Sequence, residues 1–175
     1  VPISPLTTLA RAGEEANAKI LETAASNNSL AGMGTTFTAV ATTSQELHVA
    51  HVGDSRAYLI EDNSIKQITK DHTWVAQQVQ LGLMTADEAR VHPSRNMITR
   101  ALGLDAQVKI DTFTLQLPHI AVLVLCSDGL YEVVEDDEIL SCVQRSKTPR
   151  QACRRLVSLA NRRGGPDNIT VIVAQ

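Results

Sequence analysis

The stretch Ala121-Val-Leu-Val-Leu-Cys-Ser-Asp-Gly-Leu-Tyr-Glu132 decides the fold of this chain. Its first six residues are apolar and rich in Val and Leu, which is typical of a strand that is buried on both faces. Gly129 lets the chain turn sharply after that strand. We therefore expect the carboxylate of Asp128 at the rim of a core strand, where a charge needs a cation or strong hydrogen-bond donors.

Two further acidic turns share this arrangement. Asp167 follows a Gly-Gly-Pro sequence and precedes a second apolar strand at residues 169–174, and Asp54 follows Gly53 directly after a strand that ends at Val52. Carboxylates that meet at the ends of core strands suggest one shared site for a hard divalent cation such as Mg²⁺ or Mn²⁺. The alternative is that each aspartate only hydrogen-bonds its own turn or, for Asp54, pairs with Arg56.

The composition limits the classes of function. The chain has 175 residues, of which 43% are hydrophobic and 20% charged, so it is long enough to bury a core and is not a disordered type. A formal charge of −3 and only 3% aromatic residues favour neither nucleic acid nor membrane as a partner. The apolar run at residues 120–126 is too short to span a bilayer, and we expect no signal peptide.

The cysteines and histidines indicate no zinc site. Three cysteines stand at unrelated spacings in apolar surroundings, which is typical of small buried side chains in a reducing compartment, and we expect a cytoplasmic protein. The histidines have no metal-ligand spacing and are interpreted as structural, although two of them lie beside acidic turns. Ser127 lacks the glycine pattern of a serine nucleophile. The cysteines are Cys126, Cys142 and Cys153, and the histidines are His48, His51, His72, His92 and His119.

Strands joined mostly by turns, with helices towards both ends of the sequence, predict an α+β fold with two antiparallel sheets flanked by helices. The polar, helical stretch at about residues 70–104 is expected to stand outside the sheets as a flap. Periodicity and capping residues predict a helix over residues 5–25, strands at 35–42 and 47–52, a hairpin at 56–69, short helices after Thr73 and Thr85, a strand at 108–117 with a bulge near Phe113, and helices at 136–144 and 149–164.

Five short motifs occur in a fixed order. Together they resemble the metal-dependent serine/threonine protein phosphatases of the type 2C (PPM) family, bacterial branch, and the resemblance extends over nearly the whole chain from about Ala16. The motifs are Gly34-Thr35-Thr36, His51-Val52-Gly53-Asp54-Ser55-Arg56-Ala57-Tyr58, Lys70-Asp71-His72, Ser127-Asp128-Gly129-Leu130 and Gly165-Pro166-Asp167-Asn168-Ile169-Thr170.

The resemblance implies an α-β-β-α sandwich in which a water activated by two Mn²⁺ or Mg²⁺ ions hydrolyses phosphoserine and phosphothreonine in proteins. Asp128 and Asp167 correspond to ligands of this binuclear centre. Asp54 corresponds to an aspartate that, with Asp128, holds an accessory third ion in bacterial members, and Asn96 is a further candidate ligand of that ion. No side chain acts as the nucleophile. The implied substrates are phosphoproteins made by a serine/threonine kinase, and we expect a monomer.

The chain departs from the family at its beginning. The family carries an arginine for the substrate phosphate and an Asp-Gly-x-Gly-Gly turn whose aspartate bridges both metals, but here no Asp-Gly precedes Asp128-Gly129. Because the chain also opens with Val1, we expect residues 1–175 to be a single catalytic domain that is incomplete at its N-terminus and inactive alone. The alternative is a non-catalytic phosphatase-like module with a binding or regulatory role.

Overall fold

The computed structural model describes residues 4–117 and 121–175, so Val1, His119 and residue 120 of the apolar run lie outside the described residues. The described chain falls into two compact units. Unit 1 comprises residues 4–54 and 71–117, and unit 2 comprises residues 55–70 and 121–175. Each unit combines helices with an antiparallel sheet, which confirms the α+β fold class.

The helices and strands follow one another along the described chain with bounds close to those predicted from the sequence. In chain order they are α1 (Pro5–Ser26), a short 3₁₀ helix (Asn28–Leu30), β1 (Phe37–Thr42), β2 (Glu46–Val52), β3 (Arg56–Glu61), β4 (Ser64–Gln67), α2 (Trp74–Gln80), α3 (Ala86–Val91), β5 (Asp111–Gln116), β6 (Val122–Cys126), α4 (Asp128–Tyr131), α5 (Asp136–Gln144), α6 (Pro149–Arg162) and β7 (Val171–Ala174).

Unit 1 contains a three-stranded sheet in the order β1-β2-β5, in which both pairs are antiparallel. β2 is almost entirely buried because it is the central strand. Helix α1 begins where the Ser4 hydroxyl accepts a hydrogen bond from the Thr7 N–H (3.2 Å) and Pro5 supplies a helical φ at the first position. Inside α1 the buried Asn17 accepts from the Gly103 N–H (2.7 Å), which joins the helix to the loop before β5.

Unit 2 contains a four-stranded antiparallel sheet in the order β4-β3-β6-β7. The β3–β4 turn places Asp62 (φ 44°) and Asn63 (φ 64°) in the left-handed region, which these residue types tolerate. One hydrophobic cluster joins this sheet to the helices of the unit. Its buried members are Tyr58, Ile60, Val124, Cys126, Leu130, Val134, Ile139, Val143, Ala152, Leu156 and Ala160.

Two details differ from the sequence-based expectations. The bulge expected near Phe113 is absent, because β5 pairs with β2 in an unbroken register from Gln116 opposite Glu46 to Asp111 opposite His51. The apparent change of period arises because Asp111, a charged residue, is part of the partly buried face that it shares with Phe113 and Leu115. In addition, the turn expected after β6 is a single helical turn, α4, that begins at Asp128.

No helix among the described residues is long and apolar enough to cross a membrane.

Candidate metal centre and its supporting network

The end of β6 is joined to the loop that precedes β7 through Ser127. Its N–H donates to the Thr170 carbonyl (3.1 Å). Its hydroxyl donates to the Asn168 carbonyl (3.1 Å) and accepts from the Thr170 N–H (3.0 Å). Three hydrogen bonds from one residue therefore fix the position of the Asp167 loop relative to the start of α4, where Asp128 lies.

Gly129 brings the same two loops into direct contact. A Cβ atom at this buried glycine would lie 2.5 Å from the Asn168 carbonyl oxygen and 3.3 Å from that of Asp167. Any side chain here would have to push the backbone of the Asp167 loop away. Glycine is therefore required for close packing of the segments that carry Asp128 and Asp167.

Each of the two aspartates also hydrogen-bonds its own turn, as the alternative interpretation expected. Oδ1 of the half-buried Asp128 accepts from the Gly129 N–H (2.9 Å), and Oδ1 of the exposed Asp167 accepts from the Asn168 N–H (2.6 Å). Within the described residues no hydrogen bond reaches Oδ2 of either carboxylate. The turn bonds orient both side chains and leave one oxygen of each available to a cation.

Asp54 lies in unit 1, in a buried turn that only glycine permits. Gly53 has a φ of +106°, and a Cβ there would lie 2.5 Å from Cγ2 of Thr36. The side chain of Asp54 is buried, with 5% of the residue exposed. His72 holds this turn from both directions, because its N–H donates to the Gly53 carbonyl (2.8 Å) and its Nδ1 accepts from the Gly53 N–H (3.0 Å).

The ring of His72 connects the Gly53 turn to β5. Since Nδ1 accepts from a backbone N–H, the proton of the neutral ring belongs on Nε2, and Oδ2 of Asp111 at 3.1 Å is its acceptor. Nη1 of Arg100, which is itself a donor, lies 3.0 Å from the same Nε2. Oδ1 of the same carboxylate accepts from Arg100 (2.6 Å). The ring of His51 lies against that of His72 with 4.8 Å between centroids, and its Nδ1 is hydrogen-bonded to the Thr38 hydroxyl.

Burial, more than the charges of this network, favours the neutral state of the histidine. Burial lowers the pKa of His72, the hydrogen bond with Asp111 opposes this effect, and the Arg100 charge adds to it. Burial alone would raise the pKa of Asp111, but the hydrogen bonds from Arg100 and His72 lower it below its usual value. The result is an ionised Asp111 between a permanent cation and a neutral imidazole, which matches the structural role predicted for His72.

Asn96, the remaining predicted ligand, occupies an exposed turn of unit 1 between α3 and the isolated bridge that pairs Thr73 with Ile98. Asp54 and Asn96 belong to unit 1, whereas Asp128 and Asp167 belong to unit 2. In residues 4–117 and 121–175 there is no group of three or more His, Cys, Asp or Glu side chains placed to hold a metal ion. The predicted accessory site at Asp54 thus stays a prediction.

The motifs did not reveal Asp111 and Arg100, which form the hydrogen-bond network around His72. The only signal for Asp111 was a charged residue at a position of β5 where the alternation of side chains calls for a partly buried one. We explained this signal by a bulge, which was wrong. No sequence pattern indicated a role for Arg100, because its partner Asp111 is 11 residues away in the sequence.

Comparison with known proteins identifies the family to which the chain belongs. The chain matches the family described as Protein phosphatase 2C over residues 6–79 and 80–169. This match covers most of the sequence, so the chain belongs to the protein phosphatase 2C family, and the resemblance drawn from the five ordered motifs is confirmed.

Individual relatives agree with this assignment. The serine/threonine phosphatase stp of Listeria welshimeri is 35% identical over 162 residues, which are 93% of this chain and 64% of that protein. The crystal structure of serine/threonine phosphatase Stp1 from Staphylococcus aureus is 35% identical, has a TM-score of 0.93, and is matched over 99% of this chain and 70% of that one. A crystal structure of the PstP catalytic domain in complex with two manganese ions is 36% identical with a TM-score of 0.89, and 99% of this chain matches 72% of it. This chain therefore spans somewhat less than two thirds of the Listeria relative.

Proposed function

We propose that the protein containing this chain hydrolyses phosphoserine and phosphothreonine in phosphoproteins, with Mn²⁺ or Mg²⁺ as the cofactor. The observation that supports this most directly is the packing of Gly129 against the Asp167–Asn168 backbone, which brings two acidic turns of unit 2 together. The related PstP catalytic domain binds two manganese ions in its crystal structure, and we expect a pair of ions in this protein too.

The donor atoms of the paired turns suit a hard divalent cation. Asp128 and Asp167 each offer a carboxylate oxygen that takes part in no described hydrogen bond, and Mn²⁺ and Mg²⁺ prefer such oxygens to nitrogen or sulfur. The two residues would hold an ion, and we assign Asp54 and Asn96 as ligands of an accessory site. When bound, such ions lower the pKa of a coordinated water and offset the charge of the phosphoryl group.

The protein's own contribution is to preorganise these ligands. The Ser127 hydrogen bonds hold the Asp167 loop, and the Asp128 and Asp167 turn bonds fix each carboxylate before a cation arrives. Preorganised charges cost little reorganisation during the reaction, which is how such a site gains its catalytic effect. We also propose that residues of about 70–104, including α2 and α3, form a flap beside the substrate and that the substrates are products of a serine/threonine kinase.

A non-catalytic, phosphatase-like binding or regulatory module is the second candidate. The feature that favours it is the lack of any Asp-Gly before Asp128-Gly129 in these 175 residues, because in the resemblance described above that turn supplies the aspartate bridging both metals. The two candidates differ in one measurable property, since a binding module would recognise a phosphopeptide without metal-dependent turnover.

Substitution of the paired aspartates in the full parent protein distinguishes these functions. Asp128→Asn and Asp167→Asn remove one charge each while keeping the side-chain volume and an oxygen for the turn bond. We expect each to lower the rate of phosphothreonine-peptide hydrolysis by about three orders of magnitude or more, equivalent to about 4 kcal/mol of transition-state stabilisation. Calorimetric Mn²⁺ titration should show a matching loss of affinity.

Asp62→Asn is the matched control, because Asp62 has the same side chain in an exposed turn of unit 2 and asparagine tolerates its positive φ. This variant should keep the wild-type rate and Mn²⁺ affinity. A near-normal rate in Asp128→Asn or Asp167→Asn, or full activity of the wild type in excess chelator, would contradict the proposal.

A further inference from the structure

The positive charge of this chain is concentrated in one segment. Residues 145–163 contain seven of the 16 Lys and Arg residues and no Asp or Glu, so the segment has a formal charge of +7 in a chain of net charge −3. Most of the segment is helix α6, which has a core-facing side formed by Ala152, Leu156 and Ala160. The arginines lie on the remaining, exposed surface.

These arginines line a groove between α5 and α6. The groove has a volume of about 830 Å³ and lies entirely within unit 2. Arg155 and Arg162 line it from one face of α6, Arg154 lines it from the position about 100° further around the helix, and Arg145 does so from the residue after α5. Leu159 and Cys142 add apolar surface to its lining.

The groove carries more positive than negative charge, because four arginines but only two acidic residues of the described chain, Asp137 and Glu138, line it. Within the described residues none of Arg145, Arg154, Arg155 and Arg162 has a carboxylate partner; Arg155 donates to the Arg145 carbonyl (2.7 Å) and Arg162 to the Ser158 hydroxyl (2.9 Å). Helix stability does not account for the pattern either. Cations are favourable in the last turn of a helix, where Arg162 lies, but not along its middle turns.

We propose that this groove, defined by Arg145, Arg154, Arg155, Arg162, Cys142 and Leu159, is a docking site for an acidic segment of a partner protein. Four cations that form no ion pair within the described chain attract spaced carboxylates, and the apolar lining accommodates an aliphatic side chain between them. The proposal concerns binding alone and stands independently of the proposed phosphatase reaction.

The other wall of the groove makes a polypeptide a better occupant than a nucleic acid. Asp137 and Glu138 line that wall and would repel a continuous phosphate backbone, whereas carboxylates of a peptide can be spaced to avoid them. Among the lining residues there is no aromatic ring on which a base could stack.

The test uses the full parent protein and a fluorescein-labelled peptide in which glutamate alternates with serine and leucine. Fluorescence anisotropy should show saturable binding that weakens as salt is raised, because exposed charge pairs are screened. The variant Arg154→Gln/Arg155→Gln/Arg162→Gln should bind about tenfold more weakly, as expected from the loss of three exposed pairs. The matched control Arg11→Gln/Lys66→Gln/Lys109→Gln removes the same charge from exposed sites elsewhere and should bind within about twofold of wild type.

Arg155 also bridges α5 and α6, so the double variant Arg154→Gln/Arg162→Gln, which leaves that bridge intact, is measured with circular dichroism as a check on folding. A smaller but clear loss of affinity in the folded double variant supports the proposal. Four outcomes would each overturn it. The groove and control variants could lose affinity equally, or the wild type could fail to bind the peptide at low salt. An oligonucleotide of equal charge could bind in preference to the peptide, or salt-sensitive self-association could block the peptide.

Discussion

At the scale of single residues, His72 is the side chain on which the Gly53–Asp54 turn depends. It is buried, its Nδ1 accepts from the Gly53 N–H, and its Nε2 faces Asp111. A buried N–H that loses its acceptor costs about 1–3 kcal/mol, so the loss of this imidazole destabilises the turn that carries Asp54.

Two substitutions of His72 separate its contacts. In His72→Asn the amide oxygen can replace Nδ1 as the acceptor for Gly53, whereas His72→Ala provides no acceptor. We expect hydrogen exchange of the Gly53 amide, followed by NMR, to accelerate by about tenfold or more in the alanine variant, equivalent to about 1.4 kcal/mol of local stability, and by clearly less in the asparagine variant. Equal exchange rates in the wild type and His72→Ala would show that the hydrogen bond does not hold the turn.

At the scale of elements, α5 and the residue that ends α6 are joined by one bidentate ion pair. Arg163 donates to both oxygens of Glu138 and also to the Val133 carbonyl (2.6 Å). Glu138 at the same time accepts from the Glu135 N–H as part of the capping box of α5. The hydrogen bonds from Arg163, aided by the one from Glu135, lower the pKa of Glu138 to about 2.

This ion pair makes the stability of the fold depend on pH in the acid range. Because the pKa of Glu138 is lower in the folded state than its ordinary value of 4.5, the pair stabilises the fold above about pH 4.5 and loses that effect as pH falls towards 2. We expect the difference in Tm between the wild type and Glu138→Gln to be greatest near neutral pH and to shrink across this window. Glu14→Gln, at an exposed position of α1, is the control and should show little difference at any pH. If the difference in Tm between the wild type and Glu138→Gln did not change with pH, the effect of the substitution would be due to helix capping alone.

Most elements were predictable because their signals are local. Ser4-Pro5, Thr85 and Thr148-Pro149 start helices through bonds that involve only the next few residues, and Asp62-Asn63 specifies its own turn. The bulge in β5 was predicted wrongly because the reason for Asp111 lies in partners from other elements. A single sequence shows the charge at that position but not the imidazole and guanidinium that compensate it.

For the whole molecule, the family and the order of its acidic turns were readable from the sequence, whereas the way the turns meet was not. Gly129 signalled a turn, but only the structure shows that its missing Cβ makes room for the Asn168 carbonyl. The basic groove was also invisible to net charge, because an excess of acidic residues elsewhere cancels the +7 of residues 145–163. Averages over a chain conceal segments of opposite sign.

The isolated 175-residue chain should show no phosphatase activity at millimolar Mn²⁺, and calorimetry should detect no tight binding of two ions. Two carboxylates on separate loops are a weak site for ions that require several well-placed oxygens. The full parent protein, measured under identical conditions, is the positive control. Robust Mn²⁺-dependent turnover by residues 1–175 would mean that other side chains complete the centre, and His51 and His72 would be the first to substitute.

The pairing of β6 with β7 has a consequence for biosynthesis. The last strand of the unit 1 sheet, β5, ends at residue 116. The sheet can therefore form while the rest of the chain is still being made. In unit 2, by contrast, β6 lacks one of its two neighbours until residues 168–174 have been synthesised. Until then Ser127 also lacks the three hydrogen bonds that join it to Asn168 and Thr170. In a nascent chain, therefore, the edge of β6 that pairs with β7 stays open while α5 and α6 are translated, and the turns of Asp128 and Asp167 come together only after β7 has been made.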